Sequence, residues 1–446
     1  MTYARRVGLF SGTMAVVGGI IGSGIFLNPA IVAQRVGTGE LTLLAWVLGG
    51  VVAVLGGLIF GELGARLPKA GGTYVYLRVG IAPALGFLYT WGLLLIMSTG
   101  AAAAVGYTFA SYAVGFFGID PALTTPIAAG AIGTFTIINL FGVQFGAWTQ
   151  NVFVILKLAA LALLIGAGLL GSTGGPVECV GCVPPAVPVG FAATVAAIST
   201  AFVPILFSYG GWQQTNFIAE EIVEPERNLP RALLLGVAIV VAVYLLANAA
   251  YLRVLGVEGL ANSKAPAADL LGQVFGEPGR RLISFGVMIS TAGFLNTVTF
   301  LSPRVYQAMA RDRLFFESFA RLHPAWRTPV VAILFQGIWS IGLLYSGTYG
   351  QLLDYVVFAD WIFFGLAAIA LLLIRRADPR PGNGFRVPGY PYTVWLFVAA
   401  AGYVVVGSIA SDPMNAVRGS GLLILGLPVY WFWAKRRPPP SVEVAN

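Results

Sequence analysis

Long apolar runs separated by short polar connections occupy almost the whole chain. Runs fall at 7–34, 41–65, 82–115, 124–142, 148–170, 191–219, 230–256, 279–309, 329–346, 350–374, 391–411 and 415–434. A run of 18 or more apolar residues is long enough to cross a ~30 Å hydrocarbon core as a helix. The pattern therefore predicts an all-α integral membrane protein with twelve transmembrane helices, hereafter spans 1 to 12. Two Pro- or Gly-rich connections, 171–190 and 375–391, are too short for independent domains. The connections 220–231 and 310–329 are expected to be partly helical, and 438–446 a disordered tail.

Composition agrees. The 446 residues are 58% hydrophobic and only 10% charged, against about 25% charged in a soluble domain. Fifty-seven glycines and 26 prolines suit membrane helices. The first apolar run is too long for a cleavable signal peptide. Charge then sets the orientation. Of the 26 Lys and Arg residues, 19 fall on the side holding both termini, six on the other, and Lys157 within a span. By the positive-inside rule both termini are cytoplasmic, in a cell inner (plasma) membrane. The net charge of +8 is explained by this distribution and implies no nucleic-acid partner.

Several chemistries are excluded early. The one histidine, His323, lies in a connection, so no His-based metal cluster or catalytic set can be assembled. No phosphate-binding P-loop occurs. Cys179 and Cys182 form a C-x-x-C with no second pair, which argues for a short-range disulfide or two free thiols over zinc. No metal and no cofactor is expected.

The informative positions lie inside the spans. Span 1 carries Gly18-Gly19-Ile20-Ile21-Gly22-Ser23-Gly24, and so many glycines invite local unwinding. Close packing through Gly18 and Gly22 is the alternative use. Span 6 carries Phe207-Ser208-Tyr209-Gly210-Gly211-Trp212 after Pro204. Broken backbone at membrane depth is tolerated only when buried in protein or lining a cavity. If 7–170 and 191–374 form an inverted repeat of five spans each, the breaks occupy matching places, which marks a transporter binding site. Freed N–H groups at a helix start suit a carboxylate, and freed carbonyls suit an ammonium. Lys157 is a charge within span 5, nine residues or about 13 Å beyond Trp148, and a functional role is the default reading. Asp360 in span 10 is a second buried ionisable residue, with a proton site, a vestibule position and a helix–helix bond all open to it.

At these residues the chain resembles the amino acid–polyamine–organocation superfamily, and within it the L-type amino acid transporters and their bacterial relatives. The resemblance rests on Gly19-Ile-Ile-Gly-Ser-Gly-Ile-Phe26, Leu67-Pro-Lys-Ala-Gly-Gly-Thr-Tyr-Val-Tyr-Leu77 and Phe207-Ser-Tyr-Gly-Gly-Trp212. Further matches are Glu220-Glu-Ile-Val-Glu-Pro-Glu-Arg-Asn-Leu-Pro-Arg231 and Ala308-Met-Ala-Arg-Asp-Arg-Leu-Phe315. It implies a LeuT-like fold, a 5+5 inverted repeat with discontinuous helices 1 and 6, and peripheral helices at 391–434. By motif position, backbone at Ile21, Gly22, Ser23 and Gly24 would hold the substrate carboxylate. Carbonyls near Phe207, Ser208 and Gly210 would hold the amino group, with Phe207 as an aromatic gate. Lys157 matches a lysine that stands in for a sodium ion and ties span 1 to span 8, with Ser290 as its expected partner. Tyr244 would make another contact on the cytoplasmic side. The connection 116–123 contains no cysteine, so a disulfide-linked heavy subunit is not expected.

The leading expectation is a sodium-independent carrier of L-amino acids, with neutral side chains favoured, acting as exchanger or uniporter by alternating access. A proton-coupled symporter using Lys157 is the nearest alternative. A membrane amino acid sensor that moves nothing is a further one. A channel lacks its symmetric ring of polar groups here, and an enzyme lacks its acid–base or metal groups.

Overall fold

Helices form where the apolar runs predict them, because inside hydrocarbon each backbone polar group must find its partner within the segment. The computed structural model describes residues 3, 5–171, 182–346, 349–378, 384–411 and 413–436. Among these the elements are helical, and the one β-type pairing is a parallel bridge between Val7 and Ile222. The expected tail at 438–446 and residues 172–181 of the connection 171–190 lie outside the described residues.

Nine helices among the described residues are long and apolar enough to cross a membrane. They are Gly39–Arg66, Pro83–Phe117, Pro121–Leu140, Gln144–Leu170, Phe191–Glu221, Pro225–Asn262, Glu277–Arg311, Phe358–Ala377 and Tyr392–Ile409, matching spans 2 to 8, 10 and 11. Span 1 is the pair Leu9–Ile20 and Gly24–Val36, bent by 44°, which makes ten. The expected ninth span is a 17-residue helix, Val330–Ser346. The expected twelfth is two short helices, Pro413–Ile424 and Gly426–Arg436. Length and composition therefore support ten of the twelve spans.

The helices show apolar surface on both faces. In span 2, Trp46, Gly49, Gly50 and Ala53 are buried against the bundle, while Leu44, Val47, Leu48 and Val51 are exposed. Each set has the spacing of one helix face, so the second faces lipid.

Basic connections meet on one face. There Arg78 pairs with Asp312 at 2.9 Å, Arg311 with Glu220 at 2.8 Å, and Arg6 with Gln144 at 2.9 Å. Tyr74 donates to Asp312 at 2.7 Å; burial, then the neighbouring Asp312 carboxylate, raise its phenol well above the ordinary value and keep it a donor. The chain start forms a strap on the same face. Arg6 and Val7 donate their N–H groups to the Glu221 carbonyl, and Val223 donates to the Val7 carbonyl, all at 2.9 Å. Beneath the strap, Arg304 and Glu221 form a fully buried ion pair at 2.9 Å.

Glu62 at the end of span 2 is also fully buried, and it is fully engaged. It accepts from Arg66 at 2.8 Å, from Arg375 Nε at 2.7 Å, and from the Val387 N–H at 2.7 Å. These bonds fasten spans 2 and 10 and the segment leading into span 11. Glu62→Ala leaves two guanidinium groups without their counter-ion, a loss of order 3–5 kcal/mol. The midpoint of thermal unfolding in detergent should fall by several degrees, and an unchanged midpoint would refute this anchoring role.

Candidate functional site

The two expected breaks are present, and they touch. Span 1 leaves the helix at Ile21, whose φ and ψ are −75° and 96°, and resumes at Gly24. Span 6 is α-helical to Tyr209, passes through Gly210 and Gly211, and continues from Trp212 as a 3-10 helix. Gly211 has φ of +106°, a conformation L side chains rarely adopt, and a Cβ there would strike the Gly19 carbonyl. A Cβ on Gly19 would lie 2.8 Å from the Gly211 oxygen. The spans thus meet backbone to backbone. Gly18 is not paired with Gly22 in a packing stripe; a Cβ on it would press on Gln150 and Val154 of span 5.

Side chains from the surrounding spans fill the freed acceptors. Lys157, wholly buried, donates to the Ile21 carbonyl at 2.6 Å and reaches the Gly18 carbonyl at 3.4 Å. Ser290 of span 8 donates to the Gly22 carbonyl at 3.2 Å. Lys157 and Ser290 therefore hold adjacent carbonyls of span 1 and do not bond to each other, as had been expected of them. Tyr244 of span 7 joins the two breaks. Its hydroxyl reaches the carbonyls of Ile20 at 3.3 Å and Ser208 at 3.2 Å, one on each broken span.

The freed donors are left open. Ile21 gives its N–H to the Val17 carbonyl at 2.9 Å, but no hydrogen bond reaches the N–H groups of Gly22, Ser23 and Gly24 among the described residues. These three residues line a cavity of about 90 Å³, together with Phe207, Ser208 and Gly210. Ile21 does not line it, because its carbonyl is turned to Lys157. Asn28 fixes the second half-helix of span 1 to span 6, donating to Ser208 Oγ at 2.7 Å and to the Pro204 carbonyl at 2.9 Å.

The rest of the wall was not anticipated as a set. Span 3 contributes Leu93, Met97 and Ser98, span 8 contributes Phe294 and Val298, and span 10 contributes Asp360, Trp361 and Phe364. Leu93–Met97 is a π-helical turn, a distortion common at functional sites. Only Asp360 had carried a signal, as an ionisable residue in an apolar run. Gln213 and Gln214 follow the span 6 break and line the cavity too. Among the described residues no three His, Cys, Asp or Glu side chains converge as a metal site. Cys182 is disulfide-bonded; Cys179 lies outside the described residues.

The two glycines of the span 6 break are not equivalent. A Cβ on Gly210, whose φ is −67°, meets only its own backbone at 3.4 Å, an ordinary contact. Gly210→Ala should fold with near-wild-type thermal stability. Gly211→Ala collides with span 1 and should lower both stability and transport sharply. Equal behaviour of the two variants would refute the backbone contact.

Comparison with known proteins places this architecture. Residues 7–431 match the family model described as amino acid permease. The serine/threonine exchanger SteT of Bacillus subtilis is 32% identical, over 97% of this chain and 98% of its own. The mouse b(0,+)-type amino acid transporter 1 is 31% identical over 98% and 91% of the two chains. The human large neutral amino acids transporter small subunit 2 is 30% identical over 96% and 80%. The relatives are transporters and not enzymes, and the family is consistent with the LeuT-like fold. With breaks that touch at membrane depth and a match over nearly its whole length, the chain belongs to the amino acid permease family of multi-pass membrane transporters.

Proposed function

We propose that this protein is a sodium-independent exchanger of L-amino acids, working by alternating access across the plasma membrane. One observation carries the reading. At the junction of spans 1 and 6 three N–H groups are left open on a cavity, while a lysine ammonium occupies the carbonyls nearby. Open N–H groups at the start of the 13-residue half-helix Gly24–Val36 suit an α-carboxylate. Carbonyls of span 6 around Phe207, Ser208 and Gly210 take the α-ammonium, and Phe207, half-buried on the cavity, acts as the gate.

The absence of sodium coupling follows from Lys157. A cation already sits against the span 1 carbonyls, so no ion is needed to hold the break together. The cavity has room for roughly six to nine water-sized groups, which suits a small, neutral amino acid. Exchange of serine and threonine, in the printed name of the Bacillus relative, fits that size. The halves 7–170 and 191–374 form the inverted repeat, with 391–434 peripheral. The basic face is cytoplasmic and carries both termini. The 116–123 connection has no cysteine, so a disulfide-linked heavy subunit is not part of the assembly.

In the cycle, the strap and the Arg304–Glu221 pair seal the cytoplasmic side in the conformation seen here. Opening that side moves the N-terminal half of span 1 away from spans 5 and 8, which breaks the Lys157 and Ser290 bonds.

Counterflow of labelled L-serine and L-alanine into proteoliposomes tests the reading. Replacing sodium by choline, or imposing a pH gradient, should leave the rate unchanged; a saturable dependence on either cation would replace exchange with ion coupling. Lys157→Ala should slow counterflow about 10- to 100-fold through loss of the short charged bond to Ile21. Substrate binding should fall much less, because Lys157 does not line the cavity. Wild-type turnover in Lys157→Ala would refute the latch.

A further inference from the structure

The cavity wall also carries a carboxyl group that no hydrogen bond or ion pair holds among the described residues. It belongs to Asp360 of span 10. Its companions from spans 3, 8 and 10 are mostly apolar: Leu93, Met97, Phe294, Val298, Trp361 and Phe364. Ser98, the polar exception, is already bonded to Ser302 at 2.8 Å. Lys157 cannot neutralise Asp360 through the cavity, since its ammonium is turned to the carbonyls of Ile21 and Gly18. A second acceptor is also orphaned: Gln214 Oε1, on the same cavity, has no partner. Unpaired polar groups at membrane depth are costly and mark function.

Count the cavity by donor and acceptor. The backbone donors are the three N–H groups of span 1, which match a carboxylate; Ser23, Gln213 and Gln214 add side-chain donors. The acceptors exceed what one α-ammonium needs, because span 6 supplies carbonyls beside the breaks and Asp360 stands in the cavity lining. We propose that Asp360 is the specificity-determining residue of the side-chain subsite, selecting substrates whose short side chain ends in a hydrogen-bond donor, a hydroxyl or an ammonium. This rests on the amino acid reading above and revises its preference for neutral side chains. That preference was argued from the size of the cavity; the wall also supplies a carboxyl group that the breaks do not. A site built around a polar substituent rejects the isostere lacking it, because its own buried polar group is then left unpaired.

Threonine and valine have nearly the same shape and differ in the donor, so they make the test. Counterflow in proteoliposomes would be competed with L-threonine, L-serine and L-2,4-diaminobutyrate, against L-valine, L-alanine and L-2-aminobutyrate as controls. In wild type, threonine or diaminobutyrate should outcompete its apolar counterpart by about 10- to 100-fold. Asp360→Ala should erase that preference, bringing threonine to the level of valine and diaminobutyrate to that of 2-aminobutyrate. Asp360→Asn separates the two donors. It keeps an acceptor oxygen and so part of a hydroxyl preference, but loses an ammonium preference outright. Equal competition by threonine, diaminobutyrate and the apolar set in wild type overturns the proposal. So does an unchanged ranking in Asp360→Ala, or a uniform loss of all substrates, which would move Asp360 to the part every amino acid shares. Failure of every amino acid to exchange in wild type refutes the transport reading instead, since alanine and valine need no donor.

Discussion

The structure depends on how two interrupted helices are made tolerable at membrane depth. Hydrocarbon offers no water to the groups that a break exposes. The breaks in spans 1 and 6 resolve this by meeting at Gly19 and Gly211, where backbone contacts backbone. Packing alone leaves polar atoms exposed, and the two kinds are treated differently. Carbonyls are capped by side chains: Tyr244 on Ile20, Lys157 on Ile21, Ser290 on Gly22, and Tyr251 on Ile25 at 3.3 Å. The N–H groups of Gly22 to Gly24 receive nothing. Such a site is incomplete without an anion, and in the proposed cycle the substrate carboxylate supplies it.

The caps also tie the moving parts to the frame. Lys157, Ser290 and Tyr244 belong to spans 5, 8 and 7, yet all end on backbone of span 1. Hydrogen bonds to backbone carbonyls survive changes of residue in span 1 but not a shift of its helix. The Arg304–Glu221 pair and the strap at Val7 act at the end of span 6. Both broken spans are thus pinned at one face by bonds that must all yield together.

The membrane class, the breaks and Lys157 were legible because each is a composition signal: an apolar run, a glycine cluster, a charge where charge is expensive. Gly22, Ser23, Gly24, Phe207, Ser208 and Gly210 come together on one cavity for that reason. What could not be read was helix rotation. The sequence put Lys157 near span 1 and span 8 but could not say which carbonyl it takes, so its expected bond to Ser290 is replaced by parallel bonds to span 1. Leu93, Phe294 and Phe364 look like any other apolar residue until the bundle is assembled. The strap at Arg6 and Val7 had no periodicity to announce it. The ninth and twelfth spans are short enough that pattern and length disagree.

Rotation also decides what the two buried charges do. On sequence alone Lys157 reads as a functional charge in span 5, and Asp360 as a proton site, a vestibule residue or a helix–helix bond. The fold turns Lys157 to backbone and sets Asp360 in the cavity lining. In the proposed cycle Lys157 serves the closure of the break, which every substrate shares, so its effect falls on turnover. Asp360 in the proposed site faces the side chain, so its effect falls on choice. Keeping the two apart lets affinity for a side chain vary without disturbing the latch that the cycle must release. In the proposed cycle, a cavity walled by both broken and unbroken spans favours exchange. A substrate held by spans 1 and 6 and by span 10 completes bonds that an empty carrier leaves open. Reorientation without cargo then carries unpaired polar groups through the occluded state, where no water reaches them.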